Sequence, residues 1–401
     1  MLNKGLKKFV SQQTVNNAYH LPKAVLANVL HGFPTKKLVV IGVTGTDGKT
    51  TTTNMIYQIL KAAGKKVSMV STINAVIAGK PYDTGFHVTS PESSKVQKLA
   101  KMAKQNGDQY LILEVTSHAL DQHRFWGIKF DIGVITNITH EHLDYHKTFE
   151  NYQKTKLSLL QNVKNAVVNK KISLNKIKGK IITFGLTNGD FNQKDLKLNL
   201  KIPGDYNIEN ALAALAVAFI LDVPKGLAQK TLENFESIPG RMEEVKNNKG
   251  IKIIIDFAHT PNALESVLQA LRSKSKGGRL ISVFGAASER DVKKRPMMGE
   301  ISAKLSNITI LTDEDPRYED KNKIIEEIAQ GAIKAGAKEE RTLFKQPDRQ
   351  KAIEMALFLA RKGDVVGIFG KGHEKSMNYK GVEKNWSDTE AVQRVLNGYK
   401  V

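Results

Sequence analysis

GVTGTDGKTTT, residues 42–52, follows the apolar run KLVVIGV (37–43) and leads into the helical stretch MIYQILKAAG (55–64). A strand that turns through glycines into a helix is the setting of a phosphate loop. The glycines let backbone N–H groups turn onto a polyphosphate, and the helix N-terminus adds its dipole. Lys49 then reaches the terminal phosphates, and Thr50 brings a hydroxyl suited to Mg²⁺. Gly45, Thr46, Asp47, Gly48, Lys49, Thr50 and Thr51 are the candidate nucleotide-binding residues. The common spacing wants glycine at 43, where Val43 stands with Gly42 one residue earlier, so the loop is a variant. Such a loop implies a nucleotide and nothing more.

Outward from it, YLILEV (110–115), IGVITNI (132–138), IKIIIDF (251–257) and VVGIFG (365–370) read as further strands alternating with helical periods. That alternation predicts an α/β fold: parallel sheets with helices on both faces and ligand sites beyond the carboxyl ends of the strands. A Lys-rich stretch over 162–201 leads into the helix start GDYNIENALAALAVAFI, and PGR (239–241) breaks the chain before a fresh strand. A boundary is expected near residue 240.

The bulk properties narrow the partners. At 401 residues, 41% hydrophobic and 25% charged, the chain is an ordinary globular sequence of two-domain size. A net charge of +21 favours anionic partners, but the lysines are scattered and lack the aromatic interleaving of a nucleic-acid groove. No nucleic-acid partner is expected. The absence of cysteine excludes a disulfide framework and Cys-ligated zinc. With no run of membrane-spanning length and no signal-peptide pattern, the chain reads as cytoplasmic.

Two further segments carry chemistry. Glu114 ends an apolar strand, where a carboxylate is costly unless paired or bound to a cation; opposite a phosphate loop it suits Mg²⁺. ITNITHEHLDYHKTFENYQKTK (135–156) gathers His140, His142 and His146 with Glu141 and Asp144, a pattern that fits a metal site or a polar loop equally.

Taken together, eleven ordered blocks resemble the Mur ligase family in its MurE branch. They are GFPTKKLVVIGVTGTDGKTTT, HVTSPESS (87–94), EVTSHALDQHR (114–124), TNITHEHLDYH, GDYNIENALAA (204–214), PGRMEEV (239–245), DFAHTPNALESVL (256–268), FGAASERDVKKRPMMGE (284–300), TDEDPRYED (312–320), DRQKAI (348–353) and GKGHEK (370–375). The resemblance implies a short N-terminal remnant (1–37), a central P-loop ATP-binding domain (38–239) and a C-terminal Rossmann-like α/β domain (240–401). It implies an ADP-forming ligase that activates a carboxylate as an acyl phosphate and joins it to an amino acid, with closure of the C-terminal domain shielding the intermediate from water.

The resemblance also assigns roles. It implies two Mg²⁺ ions, held by Thr50, Glu114 and His142 and by Lys156 as a carbamate formed with CO₂. By it, Asn210 lies near the adenine, Arg241, Asp256 and His259 line the nucleotide, and Asp348 with Arg349 belong to the closing face. Thr89, Ser90, Thr116, Gln122 and Arg124 match positions that touch a sugar-peptide acceptor, with Arg124 suited to a bidentate carboxylate pair. For the amino acid, Arg317, Gly370 and Glu374 match residues that read meso-diaminopimelate and favour it over L-lysine, while Asp315 stands where the family has asparagine and, as an acid, would repel the amino acid's carboxylate while attracting its ammonium. Only about 37 residues precede the first strand, where family members carry a UDP-binding domain. Three readings stay open: an acceptor held by sugar and peptide alone, a partner chain supplying the missing part of an otherwise monomeric enzyme, or a different carboxylate. The competing classes are folylpolyglutamate- or cyanophycin-synthetase-like ligases, a non-catalytic nucleotide-binding relative, and a nucleic-acid ATPase.

Overall fold

VVIGVT folds as strand β1 (Val39–Thr44), buried along its length beyond the first residue. A continuous apolar run needs cover on both faces, and a central parallel strand supplies it. The computed structural model describes residues 11–82, 90–139, 141–174, 177–275, 277–288 and 291–398, so Thr89 and His140 lie outside the described residues. The chain divides into two compact units, residues 1–200 with 207–235 and residues 201–206 with 236–401.

Among the described residues of the first unit, β1 joins β2 (Val67–Val70), β3 (Ala75–Ile77), β4 (Lys80–Tyr82), β5 (Tyr110–Glu114), β6 (Ile132–Ile135), β7 (Asn165–Asn169), β8 (Lys180–Gly185) and β9 (Phe191–Asn192). Their order is β4-β3-β2-β5-β1-β6-β7-β8-β9. From β1 the chain steps past β5 to β2, returns to β5, then crosses to β6 on the other side. The connections therefore diverge at the carboxyl end of β1, where open α/β sheets form their ligand crevice. Register sets Glu114 beside Val43 and Ile135 beside Thr44, so three strand ends meet there. The sheet is parallel except at one edge, where β3 and β4 run antiparallel. Ala78 and Gly79 between them both have positive φ, the backbone of a tight two-residue hairpin.

In the second unit β10 (Glu243–Val245), β11 (Lys252–Asp256), β12 (Leu280–Phe284), β13 (Ile308–Leu311), β14 (Leu343–Lys345) and β15 (Val365–Phe369) pair in the order β10-β11-β15-β12-β13-β14, with β10 antiparallel at the edge. The helix after β11 shows how sequence fixes a boundary. Thr260 caps it by accepting from the Ala263 N–H, and Pro261 stands in the first turn, where a missing N–H costs nothing. Leu264, Val267, Leu268 and Leu271 then fall on one face and are buried in the core under the sheet. Each such side chain contributes about 1.5–3 kcal/mol on burial. Among the described residues no helix is long and apolar enough to cross a membrane.

Candidate active site

The phosphate loop, residues 45–48, joins β1 to the helix Lys49–Ala62. Gly48 caps that helix with φ +80°, and a Cβ there would lie 2.1 Å from the Asn210 Oδ1, so the position requires glycine on both counts. Asn210, expected near an adenine, has its carboxamide against the loop: its Oδ1 also accepts from the Thr52 hydroxyl at 3.2 Å. The far side of the loop is held by the residues after β6. Asn137 accepts from the Asp47 N–H (2.9 Å) and Thr136 donates to the Asp47 carbonyl (2.6 Å). Thr46 and the Tyr152 hydroxyl share a 3.1 Å hydrogen bond. Thr51 is buried one turn into the helix. The Lys49 ammonium lies on the loop itself, donating to the carbonyls of Gly45 (3.1 Å) and Thr46 (2.7 Å).

Glu114 is buried rather than an exposed strand-end acid. Its Oε1 accepts from the hydroxyls of Thr50 (3.1 Å) and Thr72 (2.6 Å), and its Oε2 from the Thr72 N–H. Hydroxyl and carboxylate oxygens side by side at a phosphate loop are a hard-oxygen donor set that fits Mg²⁺. Lys156 is 2% exposed, with its Nζ donating to the Gly45 carbonyl at 2.7 Å. Burial, and then the Lys49 charge, hold its amine well below the usual lysine range. A neutral amine is the form that captures CO₂, so the environment fits a carbamate.

The described part of the histidine-rich segment packs largely through its rings. Among the described residues no three His, Cys, Asp or Glu groups converge to hold a metal. His146 is buried with its Nε2 3.0 Å from the Ser117 Oγ. His142 caps its helix in left-handed backbone, its ring edge-on to His118 at 4.8 Å. The rings of His118, Tyr145, His146 and Tyr152 pack edge-on or tilted against one another.

The described residues expected to touch an acceptor lie near one another. At the end of β5, Ser90 donates to the Glu114 carbonyl (3.1 Å) and accepts from the Thr116 N–H (3.1 Å). Arg124 donates to the Ser90 carbonyl and through two nitrogens to the Gln122 Oε1 (3.0 and 2.7 Å), so its fork is braced by the chain.

In the second unit Asp256 pins the turn after β11, accepting from the N–H groups of Met242 (2.7 Å) and Ala258 (2.9 Å). Arg241 lies 4.5 Å over the Phe257 ring, and the His259 Nδ1 meets the Phe257 carbonyl at 2.9 Å. Burial, then the Lys294 charge, pushes His259 down to about 3. Arg317 adopts φ +47° and pairs through its backbone with the hairpin Ser376–Tyr379 and Val382–Asn385. One expectation is corrected. Asp315 does not present a bare acid to an ammonium: its Oδ1 accepts from the Lys371 Nζ and the Asn378 N–H, both at 2.9 Å. Lys371 also pairs with Glu374 at 2.5 Å. Arg349, expected on a closing face, is 1% exposed and bonded through two nitrogens to Asp388 at 2.8 Å, while Asp348 caps its helix. Sequence reading passed over Thr136, Asn137 and Tyr152 as loop supports, and Glu314 and Lys371 as buried ionisable groups. The strand-end position of TNI and the acid run DED were the signals available.

Comparison with known proteins agrees with this layout. The Mur ligase middle domain matches residues 43–218, and the Mur ligase glutamate ligase domain matches residues 240–372. A Clostridium botulinum protein named UDP-N-acetylmuramoyl-L-alanyl-D-glutamate–2,6-diaminopimelate ligase is 37% identical over 93% of this chain and 81% of its own length. An Aquifex aeolicus protein of the same name is 38% identical over 93% and 80%. A solved structure of a ligase of that name aligns with TM-score 0.60 and 28% identity over 97% of this chain and 84% of that one. A Yersinia pestis folylpolyglutamate synthase/dihydrofolate synthase shares the fold, with TM-score 0.70 at 18% identity over 90% and 95%.

Proposed function

The chain belongs to the Mur ligase family, and we propose that it joins meso-diaminopimelate to UDP-N-acetylmuramoyl-L-alanyl-D-glutamate, consuming ATP, in the cytoplasm. The observation that carries this reading is the phosphate loop with Thr50 and Glu114 3.1 Å apart beside it, in a chain 37–38% identical to ligases of that name. The acceptor's terminal carboxylate attacks the γ-phosphorus, ADP leaves, and an acyl phosphate forms. The amine then displaces phosphate to leave an amide.

Each protein group has a task in that sequence. Lys49 and the loop N–H groups bind the β- and γ-phosphates and take up the charge that develops on them. Thr50, Glu114, His142 and a carbamate on Lys156 are the residues that hold Mg²⁺, which when bound neutralises phosphate charge. Ser90, Thr116, Gln122 and the braced guanidinium of Arg124 orient the acceptor. Thr89 belongs to the same set by sequence. Asn210 keeps the loop in shape, and Arg241, Asp256 and His259 serve the nucleotide. Arg317 and Glu374, near Gly370, select diaminopimelate through its distal carboxylate and amine. The charge of Asp315 is offset by Lys371, which supports diaminopimelate over lysine by removing the repulsion that a bare acid would bring. ADP release with that acceptor, meso-diaminopimelate or L-lysine, and mass analysis of the product test the reading. Turnover with diaminopimelate supports it; turnover with lysine alone would overturn the amino-acid choice, and turnover with neither would overturn the acceptor.

A further inference from the structure

The helix Leu21–Leu30 inverts the usual distribution of side chains. Ala24, Ala27 and Asn28 form its buried side, while Leu26 is 58% exposed, Val29 55% and Leu30 69%, with Tyr19 in the turn before at 47%. Leu26, Val29 and Leu30 fall on one helical face, and that face is the outer one. A surface helix ordinarily turns its large apolar residues to the core. The small inner side has its own cause. The Asn28 carboxamide donates to the Trp126 carbonyl at 2.8 Å, and a Cβ on Gly127 would lie 1.9 Å from the Asn28 Nδ2, so the helix sits close upon that loop. Trp126 is itself 38% exposed there, and helix and tryptophan together make an apolar face on the first unit.

The surroundings of this face are basic. Residues 11–46 contain no Asp or Glu. Lys23 lies 4.3 Å from the centre of the Tyr19 ring and Lys36 lies 4.5 Å from that of Phe33; both lysines are exposed, as is Lys37. The helix packed alongside, Ser93–Gln105, also lacks any acid and exposes Lys98, Lys101 and Lys104. Glu92, just before that helix, is the acid that acts on Lys23. Asp121, on the next helix of the unit, is taken up by Asn16 (2.6 Å) and Tyr145 (2.7 Å). Exposed aliphatic side chains, aromatic residues beside them and flanking lysines meet two chemistries at once, acyl chains and phosphate headgroups. Protein–protein interfaces, by contrast, are depleted of lysine.

We propose that this face docks the enzyme on an anionic lipid bilayer. The helix Leu21–Leu30 lies in the plane of the interface, with Leu26, Val29 and Leu30 among the acyl chains. Tyr19 and Trp126 sit at headgroup level, and the lysines reach lipid phosphates. Docking of this kind needs no membrane-spanning helix.

The test sediments the full chain with vesicles of phosphatidylglycerol or of phosphatidylcholine. Binding to phosphatidylglycerol that weakens as salt rises, with little to phosphatidylcholine, is expected. Leu26→Gln and Leu30→Gln should each weaken it about tenfold or more, and Lys23→Gln, Lys36→Gln or Lys37→Gln about fivefold. Phe358→Ser, at an exposed apolar residue of the second unit, should leave it unchanged. These positions are exposed, so wild-type thermal unfolding and ATP turnover in solution should accompany each loss. Trp126 gives a second readout, since the other tryptophan, Trp386, is bonded to Asp388 in the second unit (2.8 Å). Emission should move to shorter wavelength on phosphatidylglycerol vesicles, and Trp126→Phe should abolish that shift. Absence of vesicle binding, equal binding to both lipids, or binding that Leu26→Gln leaves intact would each overturn the proposal. So would a dimer in sedimentation velocity that Leu26→Gln dissociates, which would assign the face to a second copy of the chain.

Discussion

Lys49 and Lys156 share one acceptor, the Gly45 carbonyl, at 3.1 and 2.7 Å. Burial, and then the charge of the nearby Lys49, hold the Lys156 amine well below the usual lysine range. Lys49→Ala is expected to abolish ATP turnover. Lys156→Ala should abolish it too, with partial recovery in acetate or formate; failure of that recovery alongside a normal carbamate signal in the wild type would remove Lys156 from the metal-binding set. His259 gives a pH prediction. Its folded value of about 3 lies below the ordinary 6.5, so between those limits the unfolded state binds more protons and acid lowers stability through this residue. His259→Asn should therefore lose less stability than the wild type on going from pH 7 to pH 4, measured by urea unfolding. Little of this was legible beforehand. Lys49 announces itself through its loop, whereas Lys156 sits among many lysines, singled out in sequence only by the family resemblance, and its burial shows only in the structure.

At the scale of elements, strand type and order were largely readable, because VVIGVT, YLILE and IGVI are too apolar to be anything but inner strands. The antiparallel edge of β3 and β4 was not, since its strands have three residues each and depend on a turn with two positive φ angles. The strand-end placement of Glu114 and Asp256 was legible from the apolar runs before them. In the histidine-rich segment spacing left a metal site and a polar loop open, because the packing of rings such as His118 against His142 is invisible in sequence. Two predictions concern element ends. Gly48→Ala forces a left-handed residue costing about 1–2 kcal/mol and drives a methyl into Asn210; weaker ATP binding and a lower Tm are expected, measured by calorimetry. Asp388→Ala strands the Arg349 guanidinium that joins the helices Arg349–Leu359 and Asp388–Leu396. Breaking a buried pair costs about 3–5 kcal/mol, so thermal unfolding should move down sharply; an unchanged Tm would mean that the pair is not structural.

For the whole molecule, the net charge of +21 remains spread over solvated lysines, and the chemistry belongs to a few buried groups at strand ends. Family membership, the phosphate loop and its oxygen donors converge on one sequence of bonds: carboxylate oxygen to phosphorus, then nitrogen to carbon. The most direct test supplies the muramyl dipeptide with heavy oxygen in its terminal carboxylate and analyses the phosphate released during turnover. One labelled oxygen per phosphate is the predicted result, since the acceptor's own oxygen bridges carbon and phosphorus in the acyl phosphate. Unlabelled phosphate accompanying amide formation would contradict the account.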